Sequence, residues 1–456
     1  MEQKRFRLNA ATKIIISFVS IILFGSFLLC TPLASNTGQW WSFIDALFTS
    51  TSAVCVTGLI VDDTAVQFSI FGQVVILILI QIGGLGFISI SAMLILAAKK
   101  RLSYKNRVAL KESLNSDSDQ GVAILLKKIA IMVFSIEGIG FILLLPSMIM
   151  SYGASGIFKA LFLSISAFCN AGFDILGTTG TEFQSLAPYA QNVFVLLPIM
   201  FLIVLGGIGY TVILECHGKL KKQTRKPFSF HAKVVLCMTA VLILLGTTLF
   251  ALFEWNNPNT IGNMSVGEKL LNSFFQAITP RTAGFSTFDQ ANLTSLSRVV
   301  TDFLMFIGGS PMSIAGGVKT TTIFVLLVAA FKPASEKGDL IFRKKSIPNK
   351  VLQKCLRIVF MAIILFAVST IAISLIEKNN ALASSGTIIF EVISAMSTVG
   401  VTLGLTPTLS IGSKIILIML MFVGRVGALT LSIAIHKKSP DAFGEIKYPD
   451  AKINVG

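Results

Sequence analysis

The chain has 456 residues, of which 54% are hydrophobic and only 13% are charged, and its formal net charge is +16. A soluble protein of this length carries about a quarter charged residues. The composition therefore excludes a soluble domain and predicts an all-α integral membrane protein. In such a protein topology explains an excess of basic residues, so the charge does not indicate a nucleic-acid partner.

Basic residues are concentrated in alternate connections of the chain. They crowd the N-terminal segment, three connections and the tail, at 1–13, 99–111, 219–233, 332–357 and 437–456, while the intervening connections carry few. The positive-inside rule then predicts that the N- and C-termini are both cytoplasmic. The first apolar run lacks a small-residue cleavage site, so we interpret it as a membrane span and not as a signal peptide.

Eight apolar segments are long enough to cross a bilayer as helices, which takes about 20 residues. In chain order they cover 14–31, 70–98, 129–150, 191–215, 232–253, 299–331, 351–376 and 413–435. Within each successive pair lies an apolar run that is too short to span, which predicts a re-entrant half-helix. The chain thus divides into a cytoplasmic N-terminus, four repeats (the third with a broken second helix) and a cytoplasmic tail, at 1–13, 14–111, 112–230, 231–345, 346–436 and 437–456.

Each half-helix ends in a glycine-tipped segment, and the four segments share one pattern. They read SAVCVTGL at 52–59, SAFCNAGF at 166–173, ITPRTAGF at 278–285 and SAMSTVGV at 394–401. Four such loops at nearly even intervals can close a ring around one axis. The residues before each glycine vary in size and polarity, which a ring of main-chain carbonyls tolerates and a site built from side chains does not. The candidate ion-binding residues of this filter are Val56, Thr57, Gly58, Asn170, Ala171, Gly172, Thr282, Ala283, Gly284, Thr398, Val399 and Gly400.

The second helices of the repeats carry another common motif. It reads QIGGLGF at 81–87, VLGGIGY at 204–210, FIGGSPM at 306–312 and FVGRVGA at 422–428. The small residues predict close packing of helix backbones. Arg425 is the exception, because it takes the place that Gly84, Gly207 and Gly309 have in the other repeats.

The sixth span is interrupted by GGSPMSIAGGVKTTT at 308–322. This density of Gly, Ser, Pro and Thr does not hold a continuous helix in lipid, which predicts a mobile loop at mid-depth below the ring. A passive break in the packing is the alternative. The candidate gate residues are Gly308, Gly309, Ser310, Met312, Ser313, Ala315, Gly316, Gly317, Lys319 and Arg425.

Four charged residues lie inside predicted membrane segments: Glu137, Lys319, Glu391 and Arg425. A charge at the centre of a lone helix costs at least about 2.5–3.5 kcal/mol, so each should face a pore or a partner. Glu137 either neutralises a cation or is protonated, and Lys319 either tethers the interrupted loop or extends to the cytoplasm. The acids on the outer side form either a cation-attracting vestibule or ordinary solvated carboxylates; they are Asp45, Asp62, Asp63, Asp174, Glu182, Glu254, Asp289 and Glu377.

These repeats resemble the Trk/Ktr/HKT superfamily of potassium transporters over nearly the whole chain, and the membrane subunits of bacterial Ktr systems most of all. The resemblance implies four tandem membrane–pore–membrane units around a pseudo-fourfold central pore, with eight transmembrane helices and four re-entrant half-helices. It also implies that the interrupted region is an intramembrane gating loop and that Arg425 is a barrier in the cavity. Only the first glycine of the potassium-channel signature TVGYG has a counterpart in each loop, which implies fewer well-formed ion sites.

The same resemblance implies the function and the partners. The function is channel-like potassium uptake through a carbonyl filter; Gly58 favours potassium over sodium, and sodium coupling, stimulation or permeation is left open. The partners are a second copy in a homodimer and a cytosolic ring of RCK-type nucleotide-binding subunits, in a bacterial cell membrane. The sequence has no hydrolytic or redox motif, so we predict no enzyme, no bound cofactor and no metal besides potassium. The alternative is a sodium- or proton-coupled secondary transporter with a midplane cation site.

Overall fold

The computed structural model describes residues 10–86, 122–221, 227–331, 339–343 and 345–427. Residues 1–9 of the basic N-terminus, the basic connection at 99–111 and the tail at 437–456 lie outside the described residues. The described chain is helical apart from one antiparallel hairpin of β1 (Leu340–Phe342) and β2 (Lys345–Ile347). Its helices are α1 Ala10–Cys30, α2 Phe43–Cys55, α3 Thr64–Gln67, α4 Ile70–Leu85, α5 Val122–Tyr152, α6 Gly156–Phe168, α7 Val193–Ile208, α8 Tyr210–Leu220, α9 Phe230–Glu254, α10 Val266–Ile278, α11 Ser295–Phe306, α12 Thr320–Phe331, α13 Asn349–Ile376, α14 Ser385–Ser397 and α15 Ile411–Val426.

Four helices of equal length occupy the places predicted for half-helices. Helices α2, α6, α10 and α14 each have 13 residues. At 1.5 Å per residue such a helix covers about 20 Å, less than the roughly 30 Å of a hydrocarbon core. Each is followed by an extended segment whose backbone is largely buried. These helices are therefore too short to span, and their ends place four loops inside the bundle.

Polar caps start the helices that follow those loops. The side chains of Ser69, Asn192 and Thr294 accept backbone N–H groups in the first turns of α4, α7 and α11. The first N–H groups of a helix have no partner within the helix, so such caps stabilise the start of a helix. A capping box of Ser265 and Glu268 starts α10 in the same way.

Three of the second helices of the repeats end earlier than the sequence predicted. Helices α4, α7 and α15 stop at glycines with positive φ, namely Gly86 (80°), Gly209 (103°) and Gly427 (88°). A positive φ cannot continue a right-handed helix. The segment 191–215, predicted as one span, is consequently bent by 109° between α7 and α8.

Length and composition identify fewer full spans than the eight predicted segments. Among the described residues, three stretches of helix are long and apolar enough to cross a membrane: Ile124–Phe168, Phe230–Glu254 and Asn349–Ile376. The bent pair α7 and α8 would make a fourth if it is counted as one span. Among the shorter apolar helices of these residues, α4 ends at a glycine and α12 begins after the interruption that follows α11.

The small residues of the second helices permit close packing, as the sequence predicted. A Cβ atom on Gly83 would overlap the carbonyl of Val54 at the end of α2. Gly206 and Gly424 have the same relation to the ends of α6 and α14. Because the obstructing atoms are backbone, a larger residue would push the second helix away from the half-helix. These glycines therefore fix the distance between each loop and the helix that supports it.

Candidate cation pathway

The four glycine-tipped loops lie together and close a ring. We call them loop 1 (56–58), loop 2 (170–172), loop 3 (282–284) and loop 4 (398–400). Each glycine packs against the carbonyl oxygen of the residue before the glycine of the next loop; the pairs are Gly58 with Ala171, Gly172 with Ala283, Gly284 with Val399, and Gly400 with Thr57. The order is cyclic, so every loop has one neighbour on each side. A Cβ on Gly58 would lie 2.5 Å from the Ala171 oxygen, which leaves no room for any other residue.

A second position in every loop also has a left-handed backbone. Two residues before each glycine, φ is positive at a residue other than glycine: Val56 (57°), Asn170 (54°), Thr282 (68°) and Thr398 (52°). Three of these residues are β-branched, for which this conformation is strained. The sequence analysis predicted a special backbone only at the glycines and missed this strain, because nothing in the residue types indicates it.

Hydrogen bonds to the half-helices hold the loops in this conformation. In loop 1 the N–H groups of Val56 and Thr57 donate to the carbonyls of Ala53 and Ser52, at 3.2 and 2.8 Å. Loops 2 and 4 repeat these two bonds, and loop 3 has one from Ala283 to Thr279 instead. Because these N–H groups donate to the half-helix, they are not available to a group at the centre of the ring. The carboxyl end of each helix, which is partly negative, points at the same place and favours a cation.

The chain between α11 and α12 forms a loop that leaves and returns at one point. We call this segment, 308–319, the crossing loop. Its ends are joined by a parallel bridge between Ile307 and Val318 and by hydrogen bonds from Val318 to Phe306 and from Thr320 to Gly309. The two ends of the loop are therefore hydrogen-bonded to each other, and the tip extends from the third repeat.

The crossing loop binds the second repeat through its backbone. The N–H groups of Ser310 and Ile314 donate to the carbonyls of Gly207 and Gly206, at 2.9 and 3.2 Å, and the carbonyl of Met312 accepts the N–H of Tyr210 at 3.0 Å. These bonds are made where α7 ends, so the early end of α7 exposes the carbonyls that the loop uses.

The same loop reaches the fourth repeat directly beneath loop 4. A Cβ on Gly316 would collide with the Thr398 hydroxyl and lie 2.8 Å from the carbonyl of Ser397. Gly317, with φ of +66°, lies against the Cβ of Ser397. Glycine is needed at both places because the loop backbone touches a filter residue. Two of the predicted gate residues, Gly316 and Gly317, thus lie against the last residue of α14 and the first residue of loop 4.

Arg425 connects the crossing loop to the first repeat. Its guanidinium donates to the carbonyl of Ile314 at the loop tip and to the carbonyls of Gly83 and Gly84 at the end of α4, the last at 3.2 Å. Lys319 donates to the carbonyls of Ala315 and Gly316 within the loop. Both acceptors belong to the loop itself, within four residues of Lys319, so the two alternatives for this side chain stay predictions.

The two acids that lie in predicted membrane segments, Glu137 and Glu391, both have neutral hydrogen-bond partners. Glu137 accepts from the Gln81 amide at 3.0 and 3.2 Å, and the Cys169 thiol is 3.9 Å away. Glu391 accepts from the hydroxyls of Thr402 and Thr406, which follow loop 4. Neither carboxylate forms an ion pair within the described residues, so neither neutralises Arg425 or Lys319.

Several of the acids predicted for the outer side bind partners within the protein. These contacts favour neither the cation-attracting vestibule nor the ordinary solvated carboxylates proposed for the set. Asp45 on α2 forms an ion pair with Lys414 on α15 at 2.7 Å and joins the first repeat to the fourth. Asp63 caps α3 and accepts the N–H of Phe183 in the second repeat at 2.8 Å. Asp45 and Asp63 therefore have a structural role, and the choice between a cation-attracting vestibule and solvated carboxylates stays a prediction.

Two further acids clamp the ends of the helices within a repeat. Glu254 accepts the N–H and hydroxyl of Thr294 at the start of α11, and Glu377 accepts those of Ser410 at the start of α15. Burial of Glu377 opposes its ionisation, but hydrogen bonds from Ser410, Asn380 and Ser413 prevail and lower its pKa to about 2. Of the acids predicted for the outer side, Glu182 is exposed and accepts only local backbone bonds.

Arg281 is a candidate residue that the sequence analysis missed. It lies three residues before Gly284, is 6% exposed, and donates to the Thr239 hydroxyl at 3.4 Å, while its Nε has no partner among the described residues. The equivalent residues of the other loops are small: Cys55, Cys169 and Ser397. The signal was available, because the comparison of repeats that identified Arg425 also shows one arginine among three small residues here.

A cyclic set of four glycine-tipped loops, with a crossing loop at its inner end and apolar helices around it, is the architecture of a cation-translocating membrane protein. The sequence matches the family TrkH, described as cation transport protein, over residues 2–445, and the chain belongs to that family. The family consists of cation transporters and not of enzymes.

Individual relatives are similar over almost their entire length. The chain is 38% identical to the potassium/sodium uptake protein NtpJ of Enterococcus hirae, covering 99% of this chain and 98% of the relative. It is 37% identical to the Ktr system potassium uptake protein B of Bacillus subtilis, covering 97% and 95%. The crystal structure of the potassium transporter TrkH from Vibrio parahaemolyticus has the same fold, with a TM-score of 0.71 at 17% identity over 95% of this chain and 86% of that chain.

Proposed function

We propose that this chain is the potassium-translocating membrane subunit of a bacterial uptake system. The observation that carries the proposal is the cyclic contact of the four glycine-tipped loops, in which each glycine lies against a carbonyl of the next loop. A ring of backbone carbonyls can replace the hydration shell of potassium. The names of the relatives, which are potassium or potassium/sodium uptake proteins, support the choice of ion. The name of the Enterococcus hirae relative, a potassium/sodium uptake protein, also supports sodium as a further transported or stimulating ion.

In this proposal the chain forms four membrane–pore–membrane units around a pseudo-fourfold axis, with eight transmembrane helices and four half-helices. The four 13-residue helices and the cyclic order of their loops support it. The units cross the bacterial cell membrane with both termini in the cytoplasm, which the distribution of Lys and Arg supports. Conduction through a ring fits these contacts better than a carrier with inverted repeats, since all four loops meet at one place.

We further propose that the crossing loop is the gate and that Arg425 holds it closed. The loop contacts repeats 1, 2 and 4, so it obstructs the axis below the ring. A cytosolic ring of RCK-type nucleotide-binding subunits would open it, and two copies of this chain would sit on that ring. The name "Ktr system" of two relatives, which indicates more than one component, supports such a regulator.

The filter is tested by replacing Gly58 with serine. The new Cβ would lie 2.5 Å from the carbonyl of Ala171, in a backbone with φ of +96°. Strain of about 1–3 kcal/mol at such a position distorts the ring, and 1.4 kcal/mol corresponds to a tenfold change in an equilibrium constant. We expect the preference for Rb⁺ over Na⁺ to fall at least about tenfold in proteoliposome flux measurements.

Gly38→Ser is the matched control. Gly38 also has a positive φ, +66°, but no atom lies within 4 Å of a Cβ placed there. This variant should keep the selectivity of the wild-type protein while suffering similar backbone strain. Equal selectivity of Gly58→Ser and the wild type, in protein that remains monodisperse, would overturn the filter.

A further inference from the structure

Two buried hydroxyls bind the carbonyls that follow the glycines of loops 2 and 3. The Ser166 hydroxyl on α6 donates to the carbonyl of Phe173 at 2.6 Å. The Thr279 hydroxyl, directly after α10, donates to the carbonyl of Phe285. Both hydroxyl-bearing residues are fully buried. Phe173 and Phe285 come directly after Gly172 and Gly284, so these are the next carbonyls outward from the glycine ring.

Loops 1 and 4 use their serines differently. The Ser52 hydroxyl accepts the N–H of Gly58 at 3.0 Å, and the Ser394 hydroxyl accepts the N–H of Gly400 at 3.1 Å. Within the part of the chain that the structure describes, the carbonyls that follow these glycines, at Leu59 and Val401, accept no hydrogen bond. The four loops therefore agree at the glycines and differ one residue further outward.

The difference divides the ring into halves. The cyclic contacts make loop 2 the neighbour of loop 3, and loop 4 the neighbour of loop 1. The two loops whose outer carbonyl is bound to a hydroxyl are thus adjacent, as are the two whose outer carbonyl is unbound. A carbonyl that accepts a hydrogen bond from a buried hydroxyl has one of its two lone pairs occupied by the protein, so it has less to offer an ion on the axis.

We propose that Ser166 and Thr279 are specificity-determining positioning residues, which withdraw the carbonyls of Phe173 and Phe285 from the cation path. The tier outside the glycine ring then receives carbonyls from loops 1 and 4 only. This inference rests on the proposed function of the ring as a potassium filter. An ion that enters from outside is therefore bound by the carbonyls of Leu59 and Val401 only before it reaches the glycines. This outer site is weak, and the ion keeps part of its hydration shell there.

Removing either hydroxyl should strengthen binding of the transported ion. In Ser166→Ala or Thr279→Val the released carbonyl is buried and needs a new partner. The water or ion on the axis is the available one, so the outer tier gains an oxygen. A single neutral hydrogen bond changes an equilibrium by about 2- to 10-fold. We expect the half-saturation concentration for Rb⁺ uptake into proteoliposomes to fall by that factor in each variant.

Conservative variants and a mutated control separate this role from a purely structural one. Ser166→Thr and Thr279→Ser keep the hydroxyl and should retain the wild-type half-saturation concentration. Thr49→Val removes a buried hydroxyl that has no partner among the described residues, and it should also be unchanged. If the two hydroxyls only stabilised the loops, their removal would loosen the loops. The half-saturation concentration for Rb⁺ would then rise and the selectivity would fall.

Wild-type protein and Gly58→Ser are measured in parallel. If Gly58→Ser loses selectivity while Ser166→Ala and Thr279→Val leave the half-saturation concentration unchanged or raise it, the filter stands and this inference is overturned. If Gly58→Ser keeps full selectivity, the proposed function itself fails. A lower half-saturation concentration in both hydroxyl variants, absent from Thr49→Val, supports the inference.

Discussion

Replacing Arg425 with glutamine should release the crossing loop. Arg425 makes one hydrogen bond to the loop, at the carbonyl of Ile314, and two to the end of α4, at Gly83 and Gly84. A hydrogen bond from a charged donor contributes about 1.5–3 kcal/mol. Arg425 is joined to the loop by one such bond, and the loop keeps its backbone bonds to the second repeat, so loss of the Arg425 bond shifts the closed–open equilibrium by about 10- to 100-fold. Rb⁺ flux into proteoliposomes, measured without any regulatory subunit, should rise by that factor as long as most molecules start closed.

Arg298→Gln is the matched control for Arg425→Gln. Arg298 also donates to backbone carbonyls, those of Leu293 and Ala291, but it lies at the start of α11 and away from the crossing loop. It should leave the flux unchanged. If Arg425→Gln is monodisperse and its flux equals that of the wild type, the hydrogen bonds of Arg425 do not hold the pathway closed.

Two further predictions concern stability, measured as the melting temperature of the purified protein in detergent. Gly83→Ala should lower the melting temperature, because overpacking against the Val54 backbone costs about 1–3 kcal/mol. Gly138→Ala on α5 is the control: no atom lies within 4 Å of its Cβ, so its melting temperature should match or exceed that of the wild type. A higher melting temperature for Gly83→Ala than for Gly138→Ala would contradict the packing argument. Glu377→Gln should be destabilising near neutral pH, with a difference from the wild type that shrinks as the pH falls. The pKa of Glu377 is lowered from 4.5 to about 2, so its contribution is present above 4.5 and lost toward 2; a difference that does not change with pH would count against the clamp.

Repetition made the ring predictable from the sequence. Four glycines at similar intervals have no simpler explanation than four equivalent turns, and a turn needs glycine for a local reason. The interruption after α11 was predictable from composition, since a dense run of Gly, Ser, Pro and Thr leaves few residues that favour a continuous helix. Both features depend on the backbone preferences of single residues.

Features that depend on tertiary contacts were not predictable. The bend at Gly209 looks like any other glycine of a packing motif, and the sequence on either side is equally apolar. The left-handed conformation of Val56 and Thr398, which end the half-helices, runs against the preference of β-branched residues, so the residue types do not indicate it. The partner of Asp45 lies in the last repeat, at Lys414, and no local pattern connects them.

The ring also has a consequence for how the protein is made. The contact that completes it joins Gly400 to Thr57, and the nearby ion pair joins Lys414 to Asp45, so both connect the last repeat to the first. Contacts so far apart in sequence form late and slowly. While the ribosome is still adding the fourth repeat, the nascent chain already in the bilayer has an incomplete ring with a gap on one side. A ribosome that stalls before Gly400 would therefore leave a membrane-inserted fragment that has three of the four loops and no closed ring.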